Sequence, residues 1–241
     1  MSDGPKTILF TGFEPSCDDH AAAVVAELKR RYPAVRIAAW GGPNMARAGA
    51  EVIETTGENS VVGLPGPKLI LAQRATNKRI ERWMDANRVD VHVPVDAPAA
   101  NFPICAAAKQ RGAKVVHLVA PQVWAWGAWR VGKLRRLTDH VCCLLPFEES
   151  FFQERDVPAT FVGHPLFDES IDERELDDAA SRWPDDSPRI ALMPGSRPSE
   201  ITKNAPILLE SFRELCKEHP GATGVVAAAG ERAAAMLREI A

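Results

Sequence analysis

The sequence has five cysteines, Cys17, Cys105, Cys142, Cys143 and Cys216, none paired at CxxC spacing or set beside a histidine in a metal-ligand pattern. An odd count without such spacing argues against a disulfide framework and against structural zinc. Adjacent Cys142-Cys143 lie in an apolar run and read as small core residues. No uncharged apolar run approaches the ~20 residues of a membrane-spanning helix, so any membrane contact is expected to be peripheral. The start, Met1 to Lys6, leads straight into Thr7-Ile8-Leu9-Phe10 with no charged n-region, apolar h-region or cleavage site, so no secretion is expected. Neither sign of charge dominates: 29 basic against 32 acidic residues leave a net charge of −3, without the field that draws a protein onto nucleic acid. GxGxxG and the Walker A spacing are absent, which excludes a dinucleotide fingerprint and an NTPase loop. There is no internal repeat and no low-complexity tract.

What is present is a pattern. In 241 residues with 46% hydrophobic content, short apolar runs alternate with helix-length amphipathic segments, the mark of βαβ units and a mostly parallel sheet. Strands are predicted at 7–10, 35–40, 51–54, 89–95, 114–119, 140–145 and 160–162. Helices are predicted at 18–31, 68–87, 102–111, 128–137 and 147–154. After Pro165 acidic residues crowd a stretch poor in large apolar side chains, expected to be an exposed, partly helical connector. A new unit follows: strand 189–193, helix 205–219, strand 224–228 and helix 231–241. The expected architecture is a Rossmann-like parallel-sheet domain (1–166), an acidic connector (167–187) and the start of a second Rossmann-like domain (188–241). That last stretch is short for an α/β domain, so the second domain is expected to be incomplete.

Several segments can carry chemistry. Strand 89–95 runs into Asp96-Ala97-Pro98, placing a carboxylate at the C-terminal end of a parallel strand, where open α/β sheets bind ligands. Asp96 is either a general base or the cap of the next helix, with Pro98 in its first turn. The loop from Thr11 to His20 offers backbone N–H groups and hydroxyls to an anionic or sugar ligand, unless Ser16 or Asp18 simply caps the helix that follows. In Pro194-Gly195-Ser196-Arg197-Pro198-Ser199-Glu200, glycine permits close backbone approach and Arg197 can pair with a diphosphate. Trp124 and Trp126, ahead of Trp129, Arg130, Lys133, Arg135 and Arg136, suit a phosphorylated, partly apolar substrate or an anionic membrane, or else a core tryptophan beside a solvated basic face. Helix 68–87 pairs apolar with basic residues, fit for membrane contact or for packing on its own sheet. His164 is either a ligand contact in an interdomain cleft or a structural histidine.

Seven fragments occur in order: Gly41-Gly42-Pro43-Asn44-Met45, Val62-Gly63-Leu64, Val95-Asp96-Ala97-Pro98, Val123-Trp124-Ala125-Trp126, Leu145-Pro146-Phe147-Glu148, Val162-Gly163-His164-Pro165 and Leu192-Met193-Pro194-Gly195-Ser196-Arg197. The series resembles the lipid-A-disaccharide synthase family, Trp-Ala-Trp and Pro-Gly-Ser-Arg being the most telling pieces. The resemblance implies a two-domain GT-B glycosyltransferase, cytoplasmic and peripheral to the inner membrane of a Gram-negative-type bacterium, needing no metal or other cofactor. It implies transfer of 2,3-diacylglucosamine from a UDP-diacylglucosamine donor to a diacylglucosamine 1-phosphate acceptor, with release of UDP. By motif, Asp96 matches the base that activates the acceptor 6-hydroxyl and Arg197 a residue near the donor diphosphate, joined there by Gly195, Ser196 and Glu200. Ser16, Asp18, Trp124, Trp126 and His164 are carried over to the acceptor side. Three features depart from what the resemblance implies: Gly-Glu-Thr-Ser-Gly-Asp is Phe13-Glu14-Pro15-Ser16-Cys17-Asp18 here, the second aspartate after Asp-Ala-Pro is Ala99, and the chain is much shorter than the family's usual length. The competing expectations are a truncated, non-catalytic lipid-binding relative and another UDP-sugar glycosyltransferase of the same fold.

Overall fold

The computed structural model describes residues 7–57, 66–125, 127–168, 172–181 and 188–240. The described residues divide into two compact units, the first running to Asp168 and the second from Asp172 onward.

In the first unit the strands are β1 (Thr7–Thr11), β2 (Arg36–Gly41), β3 (Glu51–Thr55), β4 (Val91–Pro94), β5 (Lys114–Leu118), β6 (His140–Cys143) and β7 (Ala159–Phe161), interleaved with α1 (Pro15–Arg31), α2 (Pro43–Arg47), α3 (Pro67–Ala86), α4 (Pro98–Gln110), α5 (Val131–Leu137) and α6 (Pro146–Gln153). The strands form one parallel sheet in the order β3-β2-β1-β4-β5-β6-β7. The order reverses between β1 and β4, and in such sheets a crevice opens beyond the strand ends at that point.

Period-two alternation sends β1 side chains to both faces. Ile8 and Phe10 join Ile37, Ala39, Val93 and the α1 residues Cys17, Ala21 and Val25. Leu9 joins Ala38, Trp40 and Val115 under Ile80 and Met84 of α3 and Ile104 and Cys105 of α4. Both faces are covered, which is why these strands read as continuous apolar runs. A third cluster beyond β5 holds Phe102, Val131, Leu134, Val141 and Phe152.

Prolines set where helices begin. α1, α2, α3, α4 and α6 each carry proline in the first turn, where the missing N–H has no intrahelical partner to lose and φ is already helical. The sequence places several of these starts one to four residues late, because proline marks a turn as readily as a first helical residue. The predicted helix 128–137 is a 3-10 turn, Ala128–Arg130, followed by α5. In α3 the C-terminal half is anchored by buried Ile80 and Met84 and by Trp83 edge-on to Trp40, while Ile70 and Leu71 near its start are exposed. Among the described residues no helix is long and apolar enough to cross a membrane.

The second unit holds α7 (Glu173–Ala180), β8 (Arg189–Leu192), α8 (Pro198–Glu218), β9 (Thr223–Val226) and α9 (Glu231–Ile240). β8 and β9 pair in parallel, and Ile201 and Ala205 of α8 bury against Ala233 and Leu237 of α9. α8 starts seven residues before the predicted 205, again at a proline, and runs through Pro206. α7 supplies the helical part expected of the acidic connector. Asp172 caps it by accepting the Arg174 N–H at 2.9 Å, and the helix has no buried residue.

Candidate functional site

A parallel sheet puts the C-terminal ends of all its strands on one edge. In the first unit that edge collects the loop after β1, the Asp96 turn after β4, Trp124 after β5, Glu148 after β6 and His164 after β7. Residues spread over 150 positions of sequence become neighbours of one rim, and β1 and β4, whose ends flank the reversal, carry its first two loops.

Asp96 leaves β4 in an unusual conformation. It has φ +44° and Ala97 has φ +40°, two consecutive non-glycine residues in the left-handed region, each costing on the order of 1–3 kcal/mol. Ala97 occupies the N-cap position of α4, so half-buried Asp96 stands one residue outside the helix and the usual capping position carries no acceptor. The turn is tied down by the Asp96 N–H, which donates to the Leu118 carbonyl at 2.9 Å. Buried Asn101 of α4 donates through Nδ2 to the carbonyls of Val95 at 3.2 Å and Asp96 at 2.9 Å. Its Oδ1 accepts from Thr11 Oγ1 at 2.7 Å, and Thr11 Oγ1 lies 2.8 Å from His92 Nε2.

His92 and His117, on β4 and β5, are fully buried beneath this turn. Burial, reinforced by His117, pushes the His92 pKa down to about 3. Burial pushes that of His117 down to about 4, against an opposing effect of the Asp96 backbone. Neither ring nitrogen of His117 reaches a partner at hydrogen-bonding geometry. Sequence reasoning included Thr11 only as the first residue of a polar loop, and passed over His92, Asn101 and His117. The available signal was a lone histidine inside each of two mostly apolar strands and an asparagine in the first turn of an apolar helix.

The loop after β1 corrects two expectations. The N-cap of α1 is Glu14, without a side-chain capping bond, so neither Ser16 nor Asp18 caps that helix. Ser16 is exposed in its first turn. Asp18 is buried, and its carboxylate accepts three backbone N–H groups at the start of α2: Gly42 at 3.0 Å and Met45 at 2.9 Å on Oδ1, Asn44 at 2.8 Å on Oδ2. Three of its roughly four acceptor sites are taken by the Gly-Gly-Pro-Asn-Met loop, which makes it a cap for α2. A Cβ on Gly42 would fall 2.4 Å from Asp18 Oδ2, which is why glycine stands there. Cys17 donates Sγ–H to the Val95 carbonyl at 3.4 Å. Burial, helped by the charge of Asp96, pushes its thiol up to about 12.

Trp124 is half-buried. Its Nε1–H donates to Glu148 Oε1 at 2.9 Å and its ring stands edge-on to Phe147, centroids 4.9 Å apart. Glu148 Oε2 also accepts the Leu145 N–H at 3.0 Å, so one buried carboxylate fixes the indole and starts α6. Trp126, like the Val62-Gly63-Leu64 fragment, lies outside the described residues. His164 Nδ1 accepts the Leu166 N–H at 3.2 Å, and its ring meets His20 of α1 edge-on at 5.1 Å. Burial, then His164, lowers the His20 pKa.

In the second unit the Pro-Gly-Ser-Arg turn follows β8 and opens α8. Glu200 Oε2 accepts the N–H groups of Ser196 and Arg197, each at 3.1 Å, and Oε1 pairs with Arg197 Nη1 at 3.2 Å. These N–H bonds, foremost that of Arg197, lower the Glu200 pKa. Gly195 has φ +111°, and a Cβ there would sit 2.6 Å from Glu200 Cβ. Glu200 therefore clamps the turn, and Gly195 makes room for the clamp.

The family model for lipid-A-disaccharide synthetase matches residues 8–241. The lipid-A-disaccharide synthase of Idiomarina loihiensis is 32% identical over 98% of this chain and 63% of that protein. The lipid-A-disaccharide synthase of Geobacter metallireducens is 35% identical over 90% of this chain and 57% of that protein. The chain thus spans about three fifths of the length of these relatives. Among solved structures, the UDP-GlcNAc 2-epimerase from Neisseria meningitidis bound to UDP-GlcNAc is similar in fold, with a TM-score of 0.62 at 12% identity over 97% of this chain and 69% of that one. With the family model matched across nearly the whole sequence, and Asp96 and the Pro-Gly-Ser-Arg turn each beyond the end of a parallel strand, the chain belongs to the lipid-A-disaccharide synthase family.

Proposed function

We propose that the chain carries the acceptor side and the beginning of the donor side of a lipid-A-disaccharide synthase, residues 1–166 serving the acceptor and 188–241 the nucleotide-sugar donor. The donor is UDP-2,3-diacylglucosamine and the acceptor 2,3-diacylglucosamine 1-phosphate. The observation that carries the reading is Asp96, a carboxylate at the end of β4 beside the strand-order reversal, held on a strained and fully braced turn. Asp96 takes the proton of the acceptor 6-hydroxyl as its oxygen bonds to the donor anomeric carbon from the face opposite UDP. The bond from that carbon to the diphosphate oxygen breaks with inversion, and UDP departs with the electron pair. Arg197 offsets the charge gathering on the diphosphate. Positioning of the two sugars supplies most of the remaining acceleration.

The relatives carry the synthase name, and a fold neighbour holds UDP-GlcNAc, which supports the choice of donor class. Peripheral contact with an anionic membrane at the cytoplasmic face fits exposed Ile70 and Leu71 beside Lys68 and Arg74 at the start of α3.

The test is mass spectrometry of products after incubation with both substrates, using the chain, its Asp96→Ala variant and a version extended to the full length of its relatives. Disaccharide formed and lost with Asp96→Ala supports the reading. Product from the extended version alone assigns this chain a binding role. Product from neither version, with turnover of a different UDP-sugar, moves the assignment to another transferase of this fold.

A further inference from the structure

Asn101 is the one side chain in the Asp96 network that reaches backward out of its helix. It sits at the fourth position of α4, where its own backbone is already helical, yet both Nδ2 hydrogens go to the carbonyls of Val95 and Asp96. Those carbonyls flank the point where the backbone enters the left-handed region. The sense of the amide is not free to invert. Thr11 has a single hydroxyl proton, donated to Asn101 Oδ1 at 2.7 Å. Thr11 Oγ1 must then accept from His92, 2.8 Å away, which makes His92 a neutral imidazole carrying its proton on Nε2. His92 Nδ1, buried with no partner, is the bare nitrogen that this assignment requires. Carbonyl oxygens only accept, so an inverted amide would set Oδ1 against both of them and lose the two bonds to Val95 and Asp96. The chain of contacts from His92 through Thr11 to Asn101 has one consistent polarity, and it terminates on the backbone of Asp96.

We infer that Asn101 is a positioning residue for the transfer reaction: its two donated bonds set the direction in which the Asp96 carboxylate leaves the sheet edge, and Thr11 and His92 set the direction of Asn101. The inference rests on the reading of Asp96 as the base. Asn101 touches no reacting atom. Its effect is to hold the base in line, and a displacement of about 1 Å at such a group costs on the order of a hundredfold in rate.

The experiment uses the chain labelled with 15N and 13C. Three-bond HN–Hα couplings and Cα shifts report φ at Asp96 and Ala97. In Asn101→Ala both residues are expected to lose the left-handed signature while resonances of β1–β3 keep their positions. Thr11→Val is expected to do the same to a smaller degree, and Thr11→Ser, which keeps the hydroxyl, to restore the native signature. The Thr11 pair decides the matter should Asn101→Ala fail to fold. In the preparation that turns over, Asn101→Ala is expected to lower kcat at least about tenfold with acceptor KM within about twofold, the pattern of an interaction felt in the transition state. An unchanged φ signature in Asn101→Ala, or a raised KM at constant kcat, overturns the inference. Full turnover in Asp96→Asn sinks the reading of the base instead, and leaves the backbone result for Asn101 standing on its own.

Discussion

Asp18 separates a structural from a ligand-binding account most sharply. Its carboxylate accepts the N–H groups of Gly42, Asn44 and Met45 at 2.8–3.0 Å. Gly42 and Met45 are buried and Asn44 is half-exposed. In Asp18→Ala the Asn44 N–H can recruit water, but the other two donors are left dry, at ~1–3 kcal/mol each. The expected loss is about 3 kcal/mol, among the larger effects of single substitutions. Asp18→Asn keeps one oxygen to bridge Gly42 and Met45 and turns an NH2 group toward the Asn44 N–H. It should therefore lose less, about 1–2 kcal/mol. The assay is urea unfolding followed by far-UV circular dichroism and by tryptophan fluorescence, to which Trp40, buried in the same unit, contributes. If Asp18→Ala unfolds within about 0.5 kcal/mol of the parent, a surface-like effect, while acceptor binding falls, the capping argument is wrong and Asp18 faces the ligand.

Acid should unfold the first unit earlier than its carboxylates alone would dictate. His92 and His117 have folded pKa values of about 3 and about 4 against 6.5 when unfolded. The unfolded chain therefore binds more protons below pH 6.5, and stability present above that pH falls by up to ~1.4 kcal/mol per pH unit per histidine down to about pH 4; His117→Phe should flatten that slope in urea titrations at stepped pH. Cys17 and Cys105, buried and with thiols pushed up to about 12, should resist a thiol reagent at pH 8 and react only on unfolding, and modification of Cys17 in the native chain would contradict its placement. Gly195→Ala strains φ +111° and drives a Cβ into Glu200; amide exchange at Ser196 and Arg197 should quicken by about tenfold, equivalent to ~1.4 kcal/mol of lost protection, whereas unchanged exchange would mean that Glu200 does not clamp the turn.

Much of the fold was legible because burial on both faces of a parallel sheet leaves unbroken apolar runs, and β1, β2, β5 and β8 start within one residue of where those runs do. The helix starts were not, since a proline in the first turn of a helix looks like a proline in a loop. Asp96 was legible by position, a carboxylate just past a strand. Its bracing was not, because Asn101, Thr11 and His92 lie up to 90 residues apart and meet only through the crossover that sets β4 beside β1. Asp18 misled for a related reason. A carboxylate in the first turn of α1 reads as a local cap or a ligand, and the donors that claim it are supplied 24 to 27 residues later by α2.

The first loop carries Phe13 and Cys17 at the two positions where the family resemblance leads one to expect glycine. Phe13 packs half-buried on the cluster around Leu9 and Trp40. Cys17 fills its space and spends its one proton on the Val95 carbonyl, immediately before the Asp96 turn. A Cβ on Gly12 would lie 2.8 Å from Cys17 Cβ. Glycine at 12 is thus the counterpart of cysteine at 17, and the pair links the first loop to the carbonyl that Asn101 also holds. The first turns of α1 and α4, the helices that follow the two strands flanking the reversal, thus grip the same carbonyl, so the peptide that leads into Asp96 is held from both sides.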